Sequence, residues 1–225
     1  MSSIKLIPTS GGGSVSLVPP NSTSGSDVVI TLPTETQTLP LTPDTPILEQ
    51  FFYPCNGERV TTSEGNITIQ NVTEFQNGTT TYVDLTGSTI AYTPPTGTKT
   101  VIYKFQFQHG KVGDSQQLGF FKFYIDSDEV TKAYMSHASE DVEGTVTFEW
   151  PIRIGAVDSS GNALSADTTT GRLAAGGWTS AKTLKLQYRD YSSSHDTMVH
   201  STSSTDGTSS DTFVMPRIGI TALTT

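Results

Sequence analysis

TVIYKFQFQH, residues 100–109, decides the fold: Val101, Tyr103, Phe105 and Phe107 recur at every second position, with Lys104, Gln106 and Gln108 between them. Successive side chains of a strand point to opposite faces, so this spacing makes one face apolar and the other polar. The same period recurs in TVTFEWPIRI (145–154), where Val146, Phe148, Trp150, Ile152 and Ile154 oppose Thr145, Thr147, Glu149 and Arg153. It recurs again in KTLKLQYRDY (182–191), where Leu184, Leu186 and Tyr188 oppose Lys185, Gln187 and Arg189. Strands with one buried and one solvated face belong to antiparallel sheets. LGFFKFYI (118–125) is apolar on both faces at Phe120, Phe121, Phe123 and Ile125, so it is either a central strand or one covered by a second copy. DTFVMPRIGITAL (211–223) supplies a last strand, with Pro216 at an edge or bulge.

Turns are expected at Gly110–Gly113, in DSSGN (158–162) and in the serine-rich loop 192–211. No window of helical length carries a 3.6-residue apolar period; Glu129 to Ala138 comes nearest, and only for a short helix or turn. The expectation is an all-β chain whose residues 90–225 form a C-terminal antiparallel β-sandwich, jelly-roll-like, of about eight strands. Ahead of it, residues 47–89 read as a small β segment. There Ile47, Leu48, Phe51, Phe52 and Tyr53 precede breaks at Pro54 and Asn56-Gly57, followed by GNITIQNV and TTYVDLTGSTIAYTP. Residues 1–46, rich in Ser, Thr, Gly and Pro and closed by Pro40, Pro43 and Pro46, read as an extended N-terminal arm. Its short apolar runs, Val15 with Leu17 and Val28 to Leu32, are too sparse to enclose a core of their own.

Composition narrows the function classes. The 225 residues carry a formal charge of −9 with 34% hydrophobic and 16% charged residues. Binding to phosphate backbones draws on Lys and Arg, so nucleic acid is not an expected partner, and an anionic membrane surface is disfavoured for the same reason. No apolar run reaches the roughly 18 residues of a spanning helix, and MSSIKLIPTSGGG has no continuous apolar core of a signal peptide. The reading is of a protein made in the cytoplasm, without membrane insertion. Cys55, the single cysteine, has no disulfide partner within the chain and reads as a small apolar filler.

Sites for chemistry are sparse. Ser194, His195 and Asp196 are the residue types of a nucleophilic triad, but adjacent in sequence, where side chains diverge. His109, His137 and His200 have no metal-ligand spacing and are expected at the surface. Asp126, Asp128 and Glu129, and then Glu140, Asp141 and Glu143, are acidic turns lacking the glycine of a calcium loop. The sequons at Asn21, Asn66, Asn71 and Asn77 reflect a Thr-rich chain. No glycine-rich loop opens a helix to cradle phosphate. No catalytic residue, metal or cofactor is expected, and the chain does not read as an enzyme. The repeats of a β-helical depolymerase are absent from the sequence.

GGGSVSLVPPNSTSGSDVVITLP (11–33) resembles a segment of the form G-S-V-x-L-x-x-P followed by S-G-S-D-V-x-I-x-L-P. That segment recurs in short fibre, appendage and decoration-type virion proteins of tailed bacteriophages, especially marine and cyanobacterial ones. ILEQFFYPCNGERVTTSEGNITIQNVT (47–73) and STIAYTPPTGTKTVIYKF (88–105) are similar to virion proteins of the same phages. The resemblance implies a structural protein of the virion, in a tail fibre or a capsid fibre, with capsid decoration or cement as the alternative. It further implies a homotrimer whose N-terminal arm docks on other virion proteins of capsid or tail. The arm's anchors would be Val15, Leu17, Val29, Ile30 and Leu32, each contributing roughly 1.5 to 3 kcal/mol if buried. A second reading is a host-glycan or receptor-binding module. Exposed aromatics beside polar loops bind sugars, and Trp178 in AAGGW with Tyr188 and Tyr191 in YRDY are the candidates. The alternative for Trp178 is packing beneath its own glycine turn.

Overall fold

The computed structural model of the chain describes residues 4–6, 15–17, 46–111, 117–139, 144–195, 197–202 and 212–224. Two compact units divide the chain, Met1–Pro43 and Asp44–Thr225. In the first, strands β1 (Ile4–Leu6) and β2 (Val15–Leu17) pair antiparallel, with Ile4 opposite Leu17 and Leu6 opposite Val15. Two of the expected anchors, Val15 and Leu17, therefore sit in a paired strand. Val29, Ile30 and Leu32 lie outside the described residues, as do the acidic positions Glu140, Asp141 and Glu143.

The second unit is all-β. Its strands are β3 (Ile47–Pro54), β4 (Arg59–Thr62), β5 (Gly65–Thr68), β6 (Gln76–Asn77), β7 (Val83–Asp84), β8 (Ile90–Tyr92), β9 (Thr100–Lys111) and β10 (Gln117–Ile125). There follow β11 (Asp128–Glu129), a single 3-10 turn at Thr131–Ala133, β12 (Met135–Ser139), β13 (Gly144–Arg153) and β14 (Lys182–Asp190). The last four are β15 (Thr197–Val199), β16 (Ser201–Thr202), β17 (Thr212–Phe213) and β18 (Arg217–Leu223). The turn at Thr131–Ala133 falls inside the window that came nearest to a helical period.

Two antiparallel sheets carry the core. In the first, β9 has β13 on one side and β18 with β15 on the other, and β3 and β6 extend it beyond them. In the second, β10 and β14 are central, flanked by β12 and β11 on one side and by β7 and β8 on the other. Taking β3, β8, β9, β10, β12, β13, β14 and β18 as strands one to eight, the first sheet runs 1-8-3-6 and the second 2-7-4-5. Within residues 47–89, β3 and β6 enter the first sheet and β7 the second, while β4 and β5 pair with each other in a small sheet of their own. The segment expected as a small β shoulder thus keeps one small sheet and gives its other three strands to the sandwich. The partners of those three lie far along the chain, as in Asp84 opposite Gln187 and Ile47 opposite Leu223, so local sequence carries no sign of their pairing.

The alternating runs meet between the sheets. Val101, Tyr103, Phe105 and Phe107 of β9 are buried, as are Phe121, Phe123 and Ile125 of β10 and Leu184, Leu186 and Tyr188 of β14. Tyr103 packs on Phe123 at 5.0 Å, Phe107 on Phe121 at 5.3 Å and Phe148 on Phe123 at 5.3 Å between ring centroids. Such aromatic pairs add about 0.5 to 1.5 kcal/mol each beyond their burial. The doubly apolar β10 is one of the two central strands of its sheet, as the first reading of its sequence expects. Cys55 is fully buried, and burial pushes its thiol up to about 12, as suits an inert filler.

Candidate functional site

On β10, Gln117, Gly119, Phe121, Phe123 and Ile125 face the core, so Phe120, Lys122 and Tyr124 face outward. On β14 the outward residues are Lys185, Gln187 and Arg189. The register places Phe120 opposite Arg189, Lys122 opposite Gln187 and Tyr124 opposite Lys185. The pairing of Val83 with Tyr188 brings Tyr82 to the other side of Arg189, and the pairing of Ser136 with Phe120 brings Tyr134 alongside. Tyr191 follows directly on β14 and donates its backbone N–H to Leu118 O at 2.9 Å.

These placements build one aromatic cluster around a guanidinium. Arg189 lies 4.8 Å from the Phe120 ring centroid and 5.3 Å from that of Tyr82. Phe120 stacks on Tyr134 at 5.9 Å and meets Tyr191 edge-on at 5.9 Å; Tyr191 in turn meets His195 at 5.1 Å. The Tyr134 phenol is held above its ordinary value, first by desolvation and then by a hydrogen bond with Tyr82. Tyr134 and Tyr191 keep 48% and 53% of their surface exposed, so both rings remain open to a ligand. Cation–π contacts of this kind contribute about 0.5 to 1 kcal/mol at exposed sites.

Charge on this face is unevenly compensated. Lys122 donates to Glu129 at 2.8 Å, lies 4.6 Å over the Tyr82 ring, and is raised above its ordinary range mainly by that carboxylate. Glu129 also accepts from the Tyr124 hydroxyl at 3.2 Å. Lys185 donates to Asp84 at 2.9 Å, and Gln187 donates to the same carboxylate at 2.8 Å. Arg189 instead donates through Nη1 to Asp190 O at 2.7 Å and Tyr191 O at 3.2 Å. Among the described residues no carboxylate pairs with it.

The three aromatics singled out from sequence are dispersed. Trp178 is 6% exposed, donates Nε1–H to Tyr92 O at 3.0 Å and packs edge-on against the Tyr92 ring. Tyr188 is a core residue whose hydroxyl bonds Gln76 O at 3.0 Å. Both are core residues, because they fall on the inward side of their segments; of the three, Tyr191 alone reaches the surface. Tyr82, Phe120, Tyr134 and Arg189 were missed. Phe120 and Arg189 carried a signal, as outward positions of alternating runs, but their juxtaposition depends on a register that only the folded sheet defines.

Other candidates resolve into local structure. His109 and His200 are fully buried, contrary to the surface expectation, and His137 is half-buried against His109. Each lies on the core side of its backbone; His200 reaches it through a left-handed φ of 65°. Asp126 accepts from Lys182 Nζ at 2.9 Å and Thr183 N at 2.8 Å, and Asp158 accepts from Ser160 N and Asn162 N within its own turn. His195 Nδ1 lies 2.9 Å from Ser192 Oγ and 3.3 Å from Ser194 Oγ, and Asp196 is outside the described residues. Among the described residues no group of three His, Cys, Asp or Glu is placed to hold a metal, and no helix is long and apolar enough to cross a membrane. No protein-family model matches the chain, and no curated protein matches it.

Proposed function

We propose that the chain is a non-enzymatic structural protein of a tailed-phage virion, held by its N-terminal arm and presenting the β-sandwich as a head on a tail fibre or capsid fibre. The observation that carries this reading is the division of the chain at residue 43, which separates the glycine- and proline-rich segment from a sandwich supplied with its own aromatic core. The strand order 1-8-3-6 and 2-7-4-5 supports a jelly-roll head. In this reading the protein is a homotrimer, and the arm docks on capsid or tail proteins. A capsid decoration protein is the variant in which the same arm binds the shell directly.

The test is co-purification with particles. Full-length protein is expected to sediment with virions, whereas protein lacking residues 1–43 is expected to accumulate folded and unincorporated. Virions devoid of the full-length chain would overturn the reading.

A second reading, that the head binds host surface glycan, is favoured by the Tyr82, Phe120, Tyr134 and Tyr191 cluster on the outer sheet face. The exposed rings of Tyr134 and Tyr191 beside polar side chains are what a pyranose requires of a binding surface.

A further inference from the structure

We propose that the outer face of β10 and β14 binds a carboxylated saccharide, with the sugar carboxylate on Arg189 and the pyranose face against Tyr191 and Tyr134. The inference rests on the glycan-binding reading and deepens it by naming the site and the ligand class.

Three observations select this occupant. First, among the described residues Arg189 donates through Nη1 only, to two backbone carbonyls, and no carboxylate among them neutralises it. Its Nε and Nη2 donors form the planar fork that matches a carboxylate in two parallel hydrogen bonds. Packing of the guanidinium between the Tyr82 and Phe120 rings fixes that fork before a ligand arrives, so little side-chain entropy is lost on binding.

Second, charge separates carboxylated from neutral sugars. The whole chain carries −9, yet among the described residues of this face Lys122, Lys185 and Arg189 stand against Glu129 and Asp84. Both carboxylates are already engaged by lysines, which leaves the guanidinium as the surplus cation. A neutral sugar would leave that charge without a partner.

Third, the main chain at the site is spent. Arg189 sits on a strand paired on one side with β10 along Gly119–Ile125 and on the other with β7 and β8. An extended peptide adds to a sheet through free backbone groups at an edge, and β14, which carries Arg189, is an interior strand. Recognition there falls to side chains: exposed rings for the C–H face of a sugar, and a fork for its acid group.

The experiment measures binding of the full-length chain to polygalacturonate, polysialate and neutral dextran by affinity electrophoresis and calorimetry at low salt. Retardation by at least one of the two carboxylated polymers and not by dextran is expected, weakening as salt is raised. Arg189→Gln and Tyr191→Ala are each expected to weaken binding at least tenfold. Tyr191 is exposed, so its variant keeps the fold even if Arg189→Gln does not, and thermal unfolding checks both. Equal binding to dextran that is lost in Tyr191→Ala would overturn the carboxylate inference while leaving the glycan reading standing. Binding indifferent to both variants would place the saccharide elsewhere and overturn the inference alone. Binding to none of the three polymers would overturn the inference, and unchanged adsorption of particles to host cells after Tyr191→Ala and Tyr134→Ala would overturn the glycan reading itself.

Discussion

The Nδ1 atoms of His109 and His137 lie 2.9 Å apart, with their rings nearly perpendicular at 87°. One ring donates and the other accepts, so the contact exists only while at least one of them is neutral. His109 is lowered to about 3, first by burial and then by His137; His137 is lowered by burial, and burial lowers His200 to about 4. In the unfolded chain each titrates near 6.5. Between that value and about 3 the unfolded state binds more protons, so stability falls as pH falls through this window and is flat above about pH 7. From pH 7.5 to 5.0, urea unfolding is expected to show a loss of about 2 kcal/mol for His109 alone. Asp84, Asp126, Asp158 and Asp167 are all held below their ordinary range and titrate lower still, so they do not account for a change at pH 5. A denaturation midpoint unchanged between these two pH values would remove the histidine account.

Trp178 and Tyr191 looked equivalent as aromatics beside loops, and they are expected to behave oppositely. Trp178→Ala removes a 6%-exposed indole and its hydrogen bond to Tyr92 O, and is expected to cost about 3 to 5 kcal/mol. Tyr191→Ala at a surface position is expected to stay within about 0.5 kcal/mol of the parent. Parallel urea titrations check both, and comparable losses would contradict the division into core and surface.

What the sequence made legible was periodic. The runs 100–109, 145–154 and 182–191 coincide with β9, β13 and β14 to within a residue or two, and Pro216 stands just ahead of β18, outside its ladder. Period two reports which face of a strand is wet, and that is a local property. It does not report which strand lies alongside. The candidate site illustrates the limit: Phe120 and Arg189 are separated by a long stretch of chain and become neighbours only through the β10–β14 register. His109 continues the inward face of β9 beyond Phe107, so its burial was implied by the very alternation that fixed the strand; the polar residue type masked it.

Gly219 shows a requirement hidden in β18. Ile218 and Ile220 face the core, so Gly219 points outward, yet a Cβ there would collide with Phe51 O and lie 2.7 Å from Phe52 Cδ2. The Phe52 ring covers the glycine, with Lys104 Nζ 5.6 Å above its centroid. Because one obstacle is backbone carbonyl, rotamer changes cannot relieve the clash, and Gly219→Ala is expected to cost about 3 kcal/mol by overpacking. Thermal unfolding reads this directly, and a melting point within a degree of the parent would show that β3 yields freely.

Ser88 closes a gap in the second sheet. Along β14, β8 pairs with Lys182–Leu184 and β7 with Gln187 and Tyr188, which leaves Leu186 without a strand partner on that side. Ser88 Oγ accepts from Leu186 N at 3.0 Å and donates to Leu85 O at 2.6 Å, while Leu85 N donates to Leu186 O at 2.9 Å. The Ser88 carbonyl in turn accepts the hydroxyl of fully buried Tyr103 at 2.6 Å, tying this junction to the opposite sheet. Ser88→Ala would strand a buried N–H, and Tyr103→Phe a buried carbonyl, each expected to cost about 1 to 3 kcal/mol. Because both substitutions loosen the same link between sheets, the double variant is expected to lose less than the sum of the two, by about 0.5 kcal/mol or more. Urea unfolding of the four proteins measures the cycle. Strict additivity would mean that the serine and the tyrosine act as separate local bonds and do not form one junction between the sheets.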